Sequence, residues 1–421
     1  MSQMTPIDVV IIGGGQAGLA MSYYLSQQGV DHIILEQGRI AESWRTERWD
    51  SFKLVTPNWA IRLPGYEYQG EDPDGFMTRN AIIKYLESYA ASFHAPIQFG
   101  VHVTSVSRKA DHYVIETTMT SPLEAKNVVI ATGEYQQSKV PRLREDMSER
   151  VQYLHSSLYR NARELAPGNV LVVGSGQSGC QIAEELNQAG RKVYLAVSNC
   201  GRLPRQYRGR DIVWWQNMIG VYDRTIDQLP SPSAKFVCHA PLSSERDINP
   251  CQLEQEGVVL LGRLQSIQAD KVIIAPNLVE NLEKAEQFAE DIKRRIDEFA
   301  QIAGIQVPEP EDLNSTKWKE RHENSAIHML DMTAHGITNV IWATGYKQDF
   351  SWVHIPVFDK AGYPIHKRGV TNSPGLYFLG LRYLYKNKSS LLLGVGEDAA
   401  FLATEITDRC SKETVLQSLF R

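Results

Sequence analysis

The sequence has few cysteines, and no two of them form a Cys-x-x-Cys pair. The five lie apart along the chain: Cys180, Cys200, Cys238, Cys251 and Cys410. An odd number of irregularly spaced cysteines is typical of reduced thiols rather than of a disulfide framework. We therefore expect a cytoplasmic protein, without a relay of electrons through two neighbouring cysteines.

Long apolar runs and an excess of basic residues are also absent. No apolar run approaches the length of about 18 residues that a membrane helix requires, and a first strand-like run at Ile7 leaves no room for a signal peptide. The formal net charge of −5 gives no general attraction to nucleic acid or anionic lipid. His322, His328 and His335 lack metal-ligand spacing. Neither a metal, a nucleic acid nor a membrane is an expected partner.

Glycine, by contrast, occurs twice in one motif. Residues 13–18 read Gly-Gly-Gly-Gln-Ala-Gly and residues 174–179 read Gly-Ser-Gly-Gln-Ser-Gly, so both fit Gly-x-Gly-x-x-Gly. Each follows an apolar strand-like run and opens a helix-like run, which is the context of a dinucleotide-binding turn. The predicted contacts are Gly13, Gly15, Gln16, Ala17 and Gly18 at one site, and Gly174, Gly176, Gln177, Ser178 and Gly179 at the other.

The residue at the end of the next strand distinguishes the two sites. After the first motif it is Glu36, whose carboxylate suits ribose hydroxyls and repels a 2′-phosphate, so FAD or NAD fits. After the second motif it is Ser198, followed by Arg202 and Arg205. Guanidinium groups pair with phosphate through two bonds, so this site is predicted to take NADPH. The sequence leaves open which arginine meets the 2′-phosphate, and solvated loop charges are the alternative.

A second repeated pattern predicts how the chain is divided. Val128-Val-Ile-Ala-Thr-Gly133 follows the first Gly-rich motif, and Asn339-Val-Ile-Trp-Ala-Thr-Gly345 follows the second. This repetition favours an α/β fold of two Rossmann-like dinucleotide-binding domains, of the three-layer ββα type, with the NADPH domain inserted into the FAD domain. The predicted boundaries are 1–160 and 335–421 for the FAD domain and 161–334 for the NADPH domain.

Several further segments together resemble the class B flavin-containing monooxygenases. They are Ala41-Glu-Ser-Trp44, Trp49–Pro57, Tyr85–Ala90, His155–Tyr159, Ala343–Tyr346 and Leu391–Ala399. The chain is similar to the plant indole-3-pyruvate monooxygenases and to bacterial flavoproteins that are labelled as involved in ion transport. It departs from the family fingerprint, which begins Phe-x-Gly, because Glu149 and Val151 occupy those positions.

The resemblance implies site residues beyond the two motifs. It places Ser43 and Trp44 beside the flavin ring and suggests Thr56, Asn58 and His155 as catalytic candidates. Functional and structural roles for His155 stay open, as do pocket and packing roles for Trp214 and Trp215. The remaining predicted cofactor contacts are Gln37, Val103, Thr132, Gly133, Ala343, Thr344, Gly345, Gly380 and Leu391.

The resemblance also implies a reaction. NADPH reduces FAD, O2 adds to the flavin to give a C4a-hydroperoxyflavin, and one oxygen atom passes to nitrogen, sulfur or a carbonyl carbon of a small organic substrate. One alternative is an NADPH-dependent flavin reductase or oxidase that passes electrons to an acceptor or to O2. A second is a non-catalytic redox-sensing flavoprotein. The sequence leaves open the substrate and whether the chain forms a homodimer.

Overall fold

The computed structural model describes residues 6–119, 121–143, 147–236, 238, 240–309 and 327–419. The described chain is organised around two large β-sheets, each with a parallel centre. None of its helices combines the length and the apolar character that crossing a membrane would require.

The first sheet is built around Ile7–Ile12, in which Val9, Val10 and Ile11 are fully buried. Such a continuous apolar run is typical of a parallel strand that is covered on both faces. In spatial order the sheet contains His366–Lys367, Val370–Thr371, Leu376–Phe378, Leu123–Ile130, Ile7–Ile12, His32–Glu36 and Ile97–Phe99. The antiparallel strands Val103–Lys109 and His112–Thr117 extend from Leu123–Ile130. Helices Gln16–Gln27, Arg79–Ser92 and Val395–Leu419 accompany this sheet.

The second sheet repeats the parallel arrangement around Asn169–Val173. In spatial order it contains Gln152–His155, Ile337–Trp342, Asn169–Val173, Val193–Ala196 and Val259–Leu261. The helices of this half are Gln177–Gln188, Ile212–Met218, Pro250–Gln255 and Leu278–Ile302, and its antiparallel strands are Leu264–Gln268, Lys271–Ile274 and Met329–Asp331. The two Rossmann-like units and the three-layer arrangement are confirmed.

The boundaries that were predicted for the two domains do not match the strand pairing. Gln152–His155 pairs in parallel with Ile337–Trp342, and both belong to the second sheet. The predicted boundaries at 160 and 335 assign these strands to the first domain, because the spacing of motifs does not reveal which strand is a neighbour. The chain instead passes from the first sheet to the second, and back again, through a two-stranded antiparallel ribbon of Gln137–Ser138 and Tyr346–Lys347. This ribbon is the crossing between the two sheets. Division into separately folding domains stays a prediction.

Tyr113 joins the antiparallel strands of the first sheet to the last part of the chain. Its side chain is fully buried. Its hydroxyl donates to the Pro374 carbonyl at 2.8 Å and lies 2.8 Å from Ser373 Oγ. These contacts fix the turn before Leu376–Phe378, the strand that pairs in parallel with Leu123–Ile130 at the centre of the first sheet.

We expect Tyr113→Phe to lower the free energy of unfolding by about 1–2 kcal/mol, because it removes the hydrogen bonds that the buried Tyr113 hydroxyl makes with Ser373 and Pro374. The measurement is chemical denaturation followed by circular dichroism. Tyr135→Phe is the matched control, since Tyr135 is 44% exposed. Equal stability of the two variants would contradict a stabilising role for the Tyr113 hydroxyl.

Candidate functional site

The two Gly-rich turns have the same geometry. The first glycines, Gly13 and Gly174, have φ of +111° and +110°, which disfavours any residue with a side chain. A Cβ at Gly13 would lie 2.6 Å from the Ala131 carbonyl oxygen, and a Cβ at Gly174 would lie 2.5 Å from the Ala343 carbonyl oxygen. The two alanines belong to the repeated Ala-Thr-Gly segments. Each such segment therefore packs against the turn of its own motif.

The third glycines permit each helix to start directly against its strand. A Cβ on Gly18 would overlap the Gly13 carbonyl oxygen, and a Cβ on Gly179 would overlap the Gly174 carbonyl oxygen. Gly15 differs, because no described protein atom lies within 4 Å of the position its Cβ would take. This is the space that a pyrophosphate would need in order to approach the backbone.

The first turns of both helices carry backbone N–H groups that no side chain caps. Gly15 and Gly176 are the N-caps of Gln16–Gln27 and Gln177–Gln188, and neither helix start receives a side-chain cap from the described residues. Ala17 and Ser178 lie in these first turns. Uncapped N–H groups and the positive end of the helix dipole favour an anionic ligand.

The first side chain of each helix anchors a distant loop. The Gln16 amide donates to the Ser390 carbonyl at 2.6 Å, so Leu391, the next residue, is brought to the first motif. The Gln177 amide donates to the Leu242 carbonyl, and the Leu242 N–H donates to Gln177 Oε1 at 3.0 Å. In each Gly-rich motif, the glutamine at the fourth position thus holds a distant loop against the turn.

Glu36 is held as a hydrogen-bond acceptor at the end of its strand. Its Oε2 accepts from the Gly14 N–H at 2.7 Å and its Oε1 from the Gly38 N–H at 2.8 Å. Each carboxylate oxygen keeps a further lone pair for a ribose hydroxyl. Gln37 lies on the rim of this site, where its Oε1 is 3.0 Å from His102 Nδ1. Val103, at the start of the next strand, is buried.

The second site has no carboxylate at the position that corresponds to Glu36. The Ser198 N–H donates to Ser175 Oγ at 3.1 Å. Arg202 forms a two-point ion pair with Glu286, with 2.7 Å between Nε and Oε2. Only 11% of the Arg202 side chain is exposed, so its pair with Glu286 is largely enclosed by the protein.

Arg205 is more deeply buried and has more protein partners than the sequence predicted. Only 4% of its side chain is exposed. The guanidinium group pairs with both oxygens of Asp211 and donates to the carbonyls of Val55 at 2.8 Å and Ser243 at 3.0 Å. Since Val55 comes from the part of the chain that precedes the second sheet, Arg205 joins the two halves of the molecule. Contact with a 2′-phosphate stays a prediction for both arginines.

The Ala-Thr-Gly segments lead into the ribbon between the sheets. Gly133 and Gly345 have φ of +75° and +78°. Thr132 Oγ1 accepts from the Gln136 amide at 3.0 Å, whereas Thr344 Oγ1 donates to the Lys139 carbonyl. The turn that follows each of these strands is thereby hydrogen-bonded to residues 136–139, next to or within the ribbon between the sheets.

His155 occupies this crossing as a buried, neutral side chain. Its Nε2–H donates to the Gly345 carbonyl at 3.0 Å, and its Nδ1 accepts from the Ser157 N–H at 3.2 Å. Burial lowers the pKa of His155. This geometry favours a positioning role at the crossing, and a catalytic role remains a prediction.

Asn58 carries a buried acceptor that the described residues do not use. The side chain is 5% exposed and its amide donates to the Asp72 carbonyl at 2.8 Å. Asn58 Oδ1 has no hydrogen-bond partner in the described part of the chain. A buried carbonyl oxygen without a donor is costly, and a bound ligand would satisfy it. Thr56, two residues earlier, is half-buried.

Trp44 belongs to an aromatic group around one guanidinium. Arg48 lies 5.4 Å from the ring centroid of Trp44, 5.8 Å from that of Phe52 and 5.4 Å from that of Tyr135. Ser43 lies beside Trp44 in the short helix Glu42–Thr46. The three rings therefore surround the Arg48 guanidinium, which is an arrangement that favours a fixed position for this cation.

The last strand of the first sheet brings two unpredicted charges together. A Cβ on Gly380 would lie 2.7 Å from Ala17 Cβ, so the end of this strand meets the first Gly-rich turn. Arg382 comes next, with 3.6 Å between its Nε and Glu134 Oε2. Burial raises the pKa of Glu134. In the sequence Glu134 comes directly after Gly133, and Arg382 comes two residues after Gly380. A charged residue just after a Gly-containing strand end was therefore the signal that could have identified both.

A cleft of about 240 Å³ opens between the two halves of the chain. Its lining includes Trp59, Phe76, Arg205, Asp211 and Trp214. Trp215 does not reach it, because it is fully buried and its indole N–H donates to the Tyr207 carbonyl at 2.7 Å. Trp214 and Trp215 both line a neighbouring cavity of about 280 Å³, so Trp214 lies on two cavities, whereas Trp215 combines a core position with one wall of the second cavity. No group of three potential metal ligands occurs among the described residues, and His322 lies outside them.

Comparisons with known proteins agree with this geometry. The model of the pyridine nucleotide-disulphide oxidoreductase family matches residues 10–210. A CzcO-like oxidoreductase of Geobacillus kaustophilus is 35% identical, over 95% of this chain and 98% of its own. A probable indole-3-pyruvate monooxygenase of Arabidopsis thaliana is 26% identical, over 97% of this chain and 88% of its own. A solved flavin-containing monooxygenase from Stenotrophomonas maltophilia superposes with a TM-score of 0.67 at 18% identity, covering 97% of this chain and 100% of its own.

These matches confirm the resemblance that the sequence motifs suggested. The solved structure shows the shared fold, whereas the bacterial relative covers nearly both chains at an identity that shows common family membership. The chain therefore belongs to the CzcO-like oxidoreductases, a family that is related to the flavin-containing monooxygenases.

Proposed function

We propose that this chain is an NADPH-dependent FAD monooxygenase that transfers one oxygen atom of O2 to a small apolar or aromatic molecule. The observation that carries the proposal is the pair of matched glycine turns, whose second strands end in residues of unlike chemistry. Glu36 presents oriented carboxylate oxygens at one site, whereas Ser198 and Arg202 stand at the other. This difference suits FAD at the first site and NADPH at the second.

The residues present fit FAD at the first site. The open space at Gly15 and the uncapped start of Gln16–Gln27 would hold the pyrophosphate, and Glu36 would hold the adenosine ribose. Asn58 Oδ1 is a buried acceptor that still needs a donor, and Trp44 lies in the aromatic group around Arg48. When bound, FAD supplies the hydride-accepting and oxygen-activating chemistry.

The chain's own contribution is to bind, orient and exclude water. Trp44, Phe52 and Tyr135 shield one side of the proposed flavin site, with Arg48 between them. His155, neutral and bonded to Gly345, holds the crossing between the two nucleotide sites. This chemistry requires no side-chain nucleophile, because the cofactor carries out the difficult step. The cleft at Trp214 is the proposed entrance for the substrate.

The rival functions share parts of this site. A reductase or oxidase would use both nucleotide sites and would differ only in the fate of the electrons. The named monooxygenases among the relatives favour oxygenation. A redox sensor would not need two complete glycine turns with the same steric requirements. We also propose a cytoplasmic location, because none of the five cysteines, all of them in the described part of the chain, forms a disulfide.

The flavin site is tested by Gly15→Ala. Since no described atom lies within 4 Å of the new Cβ, the fold should persist, while the methyl group occupies the space of the pyrophosphate. We expect flavin content to fall by about tenfold or more, equivalent to roughly 1.4 kcal/mol or more of binding free energy. The measurements are flavin absorbance per protein and the circular dichroism melting curve.

Gly29→Ala provides the matched control for that variant. Gly29 lies beyond the other end of the same helix, also with open space and with φ of +67°. This variant should keep its flavin and lose only some stability. Full flavin content in Gly15→Ala would refute the assignment of the first turn to FAD.

The NADPH preference is tested by Arg202→Ala. Loss of a charge-assisted contact with the 2′-phosphate should cost about 1.5–3 kcal/mol, which raises the KM for NADPH by about ten- to hundredfold and leaves the KM for NADH nearly unchanged. Arg294→Ala is the control, because Arg294 is 66% exposed on Leu278–Ile302. An unchanged ratio of the two KM values would show that Arg202 does not recognise the phosphate.

The oxygenation chemistry is tested by reducing the enzyme anaerobically with NADPH and then mixing it rapidly with oxygenated buffer. A monooxygenase should pass through a long-lived, spectrally distinct state before the oxidised flavin spectrum returns, because its site excludes water. Labelled oxygen from ¹⁸O2 should then appear in a product. Immediate return of the oxidised spectrum, with all electrons recovered as peroxide, would instead support the oxidase alternative.

A further inference from the structure

The loop that lies over the first Gly-rich turn is contacted by both halves of the chain. Residues 385–393, here called the flavin-covering loop, follow the last strand of the first sheet, and the Ser390 carbonyl accepts the hydrogen bond from Gln16 at 2.6 Å. Leu391 and Leu393 of this loop pack against a buried apolar cluster of the second half. The loop thus belongs to the first half by its place in the chain and is packed against the second half by these leucines.

A segment of the second half also binds the flavin-covering loop through its backbone. Three backbone hydrogen bonds of 2.9 to 3.2 Å join the two, running from the N–H of Ile226 to the carbonyl of Tyr385, from Asn387 to Arg224 and from Lys388 to Tyr222. The Asn387 side-chain amide adds a bond to the Val221 carbonyl at 3.1 Å. Residues 221–226 therefore run alongside the loop and pair with it in the antiparallel sense.

Four charges of alternating sign surround this backbone contact. Asp223 Oδ1 lies 2.9 Å from the Nζ atoms of both Lys386 and Lys388. The carboxylate of Glu397 lies 2.9 Å from the first Nζ and 2.5 Å from the second. Glu397 is in the first turn of Val395–Leu419, a helix of the first half. Each lysine of the loop is thus held between one carboxylate from each half.

Asp223 is the member of this cluster that the second half contributes. Hydrogen bonds from Lys386 and Lys388 lower the pKa of Asp223, so its carboxylate is ionised at neutral pH. Without that charge, two ammonium groups would share the single carboxylate of Glu397 and would repel each other. The ionic link between the loop and the second half therefore depends on Asp223.

We propose that Asp223 is a positioning residue for the flavin, through which the second half of the chain holds the flavin-covering loop of the first half in place. The effect on FAD rests on the proposed assignment of the first turn, whereas the attachment of the loop does not. Release of the loop would withdraw the Ser390 carbonyl from Gln16, the first residue of the helix that faces the pyrophosphate. FAD would then be bound more weakly, although Asp223 belongs to the other nucleotide unit.

The positioning role is tested by titrating FAD into the full-length apoprotein and following the flavin fluorescence. Asp223→Asn should fold, because 51% of the Asp223 side chain is exposed, and should raise the Kd for FAD by about three- to tenfold, as expected for the loss of two partly exposed ion pairs. The difference from the wild type should shrink in 1 M NaCl, because salt screens exposed charges.

Two further variants separate this role from a general effect of the substitution. Asp223→Glu keeps the charge and should restore most of the affinity for FAD. Asp227→Asn removes the same charge from an exposed position of the next turn and should bind FAD as the wild type does. An unchanged Kd in Asp223→Asn, or an equal loss of affinity in Asp227→Asn, would overturn the proposal.

The attachment of the loop is measured separately, by hydrogen exchange and mass spectrometry of the apoprotein. Amides of residues 385–393 should exchange about three- to tenfold faster in Asp223→Asn than in the wild type, because local opening becomes easier, while Gln177–Gln188 should not change. Equal exchange in the loop would refute attachment through Asp223, and faster exchange without weaker FAD binding would refute the positioning role. Failure of the wild type to bind FAD would count against the proposed function, while the exchange measurement would still decide the attachment.

Discussion

The structure depends on the contact between each helix start and the strand that precedes it. At Gly18 and Gly179 the helix lies so close to the first glycine of its motif that a Cβ would overlap a carbonyl oxygen. The first turn of each helix receives no side-chain cap from the described residues, and open space lies at Gly15 of the first motif. Anion binding and chain packing are therefore two results of the same steric requirement, and the second sheet repeats it in the same form.

The loops that surround these turns determine how the two sites differ. Gln16 and Gln177 occupy equivalent positions, but one holds the loop at Ser390 and the other holds the segment at Leu242. The first loop leads into the long helix Val395–Leu419 of the first sheet, whereas the second leads into the short helix Pro250–Gln255 of the second sheet. The two similar turns are therefore covered by different parts of the chain.

Residues that act through local geometry could be predicted from the sequence. The glycines of both motifs and Glu36 come directly after strands, so their positions depend on a short stretch of chain. The strand neighbours and the carboxylate partners of Arg202 and Arg205 depend on tertiary packing. No spacing rule reports such contacts, which is why two strands lie on the other side of the predicted boundaries.

The antiparallel ribbon of Gln137–Ser138 and Tyr346–Lys347 has a mechanical consequence. Both crossings between the sheets run side by side and share backbone hydrogen bonds, so neither can twist without the other. Reorientation of one sheet against the other would therefore have to move both crossing segments together. It would also have to break or shift the contact of Arg205 with the Val55 carbonyl, which joins the two halves elsewhere.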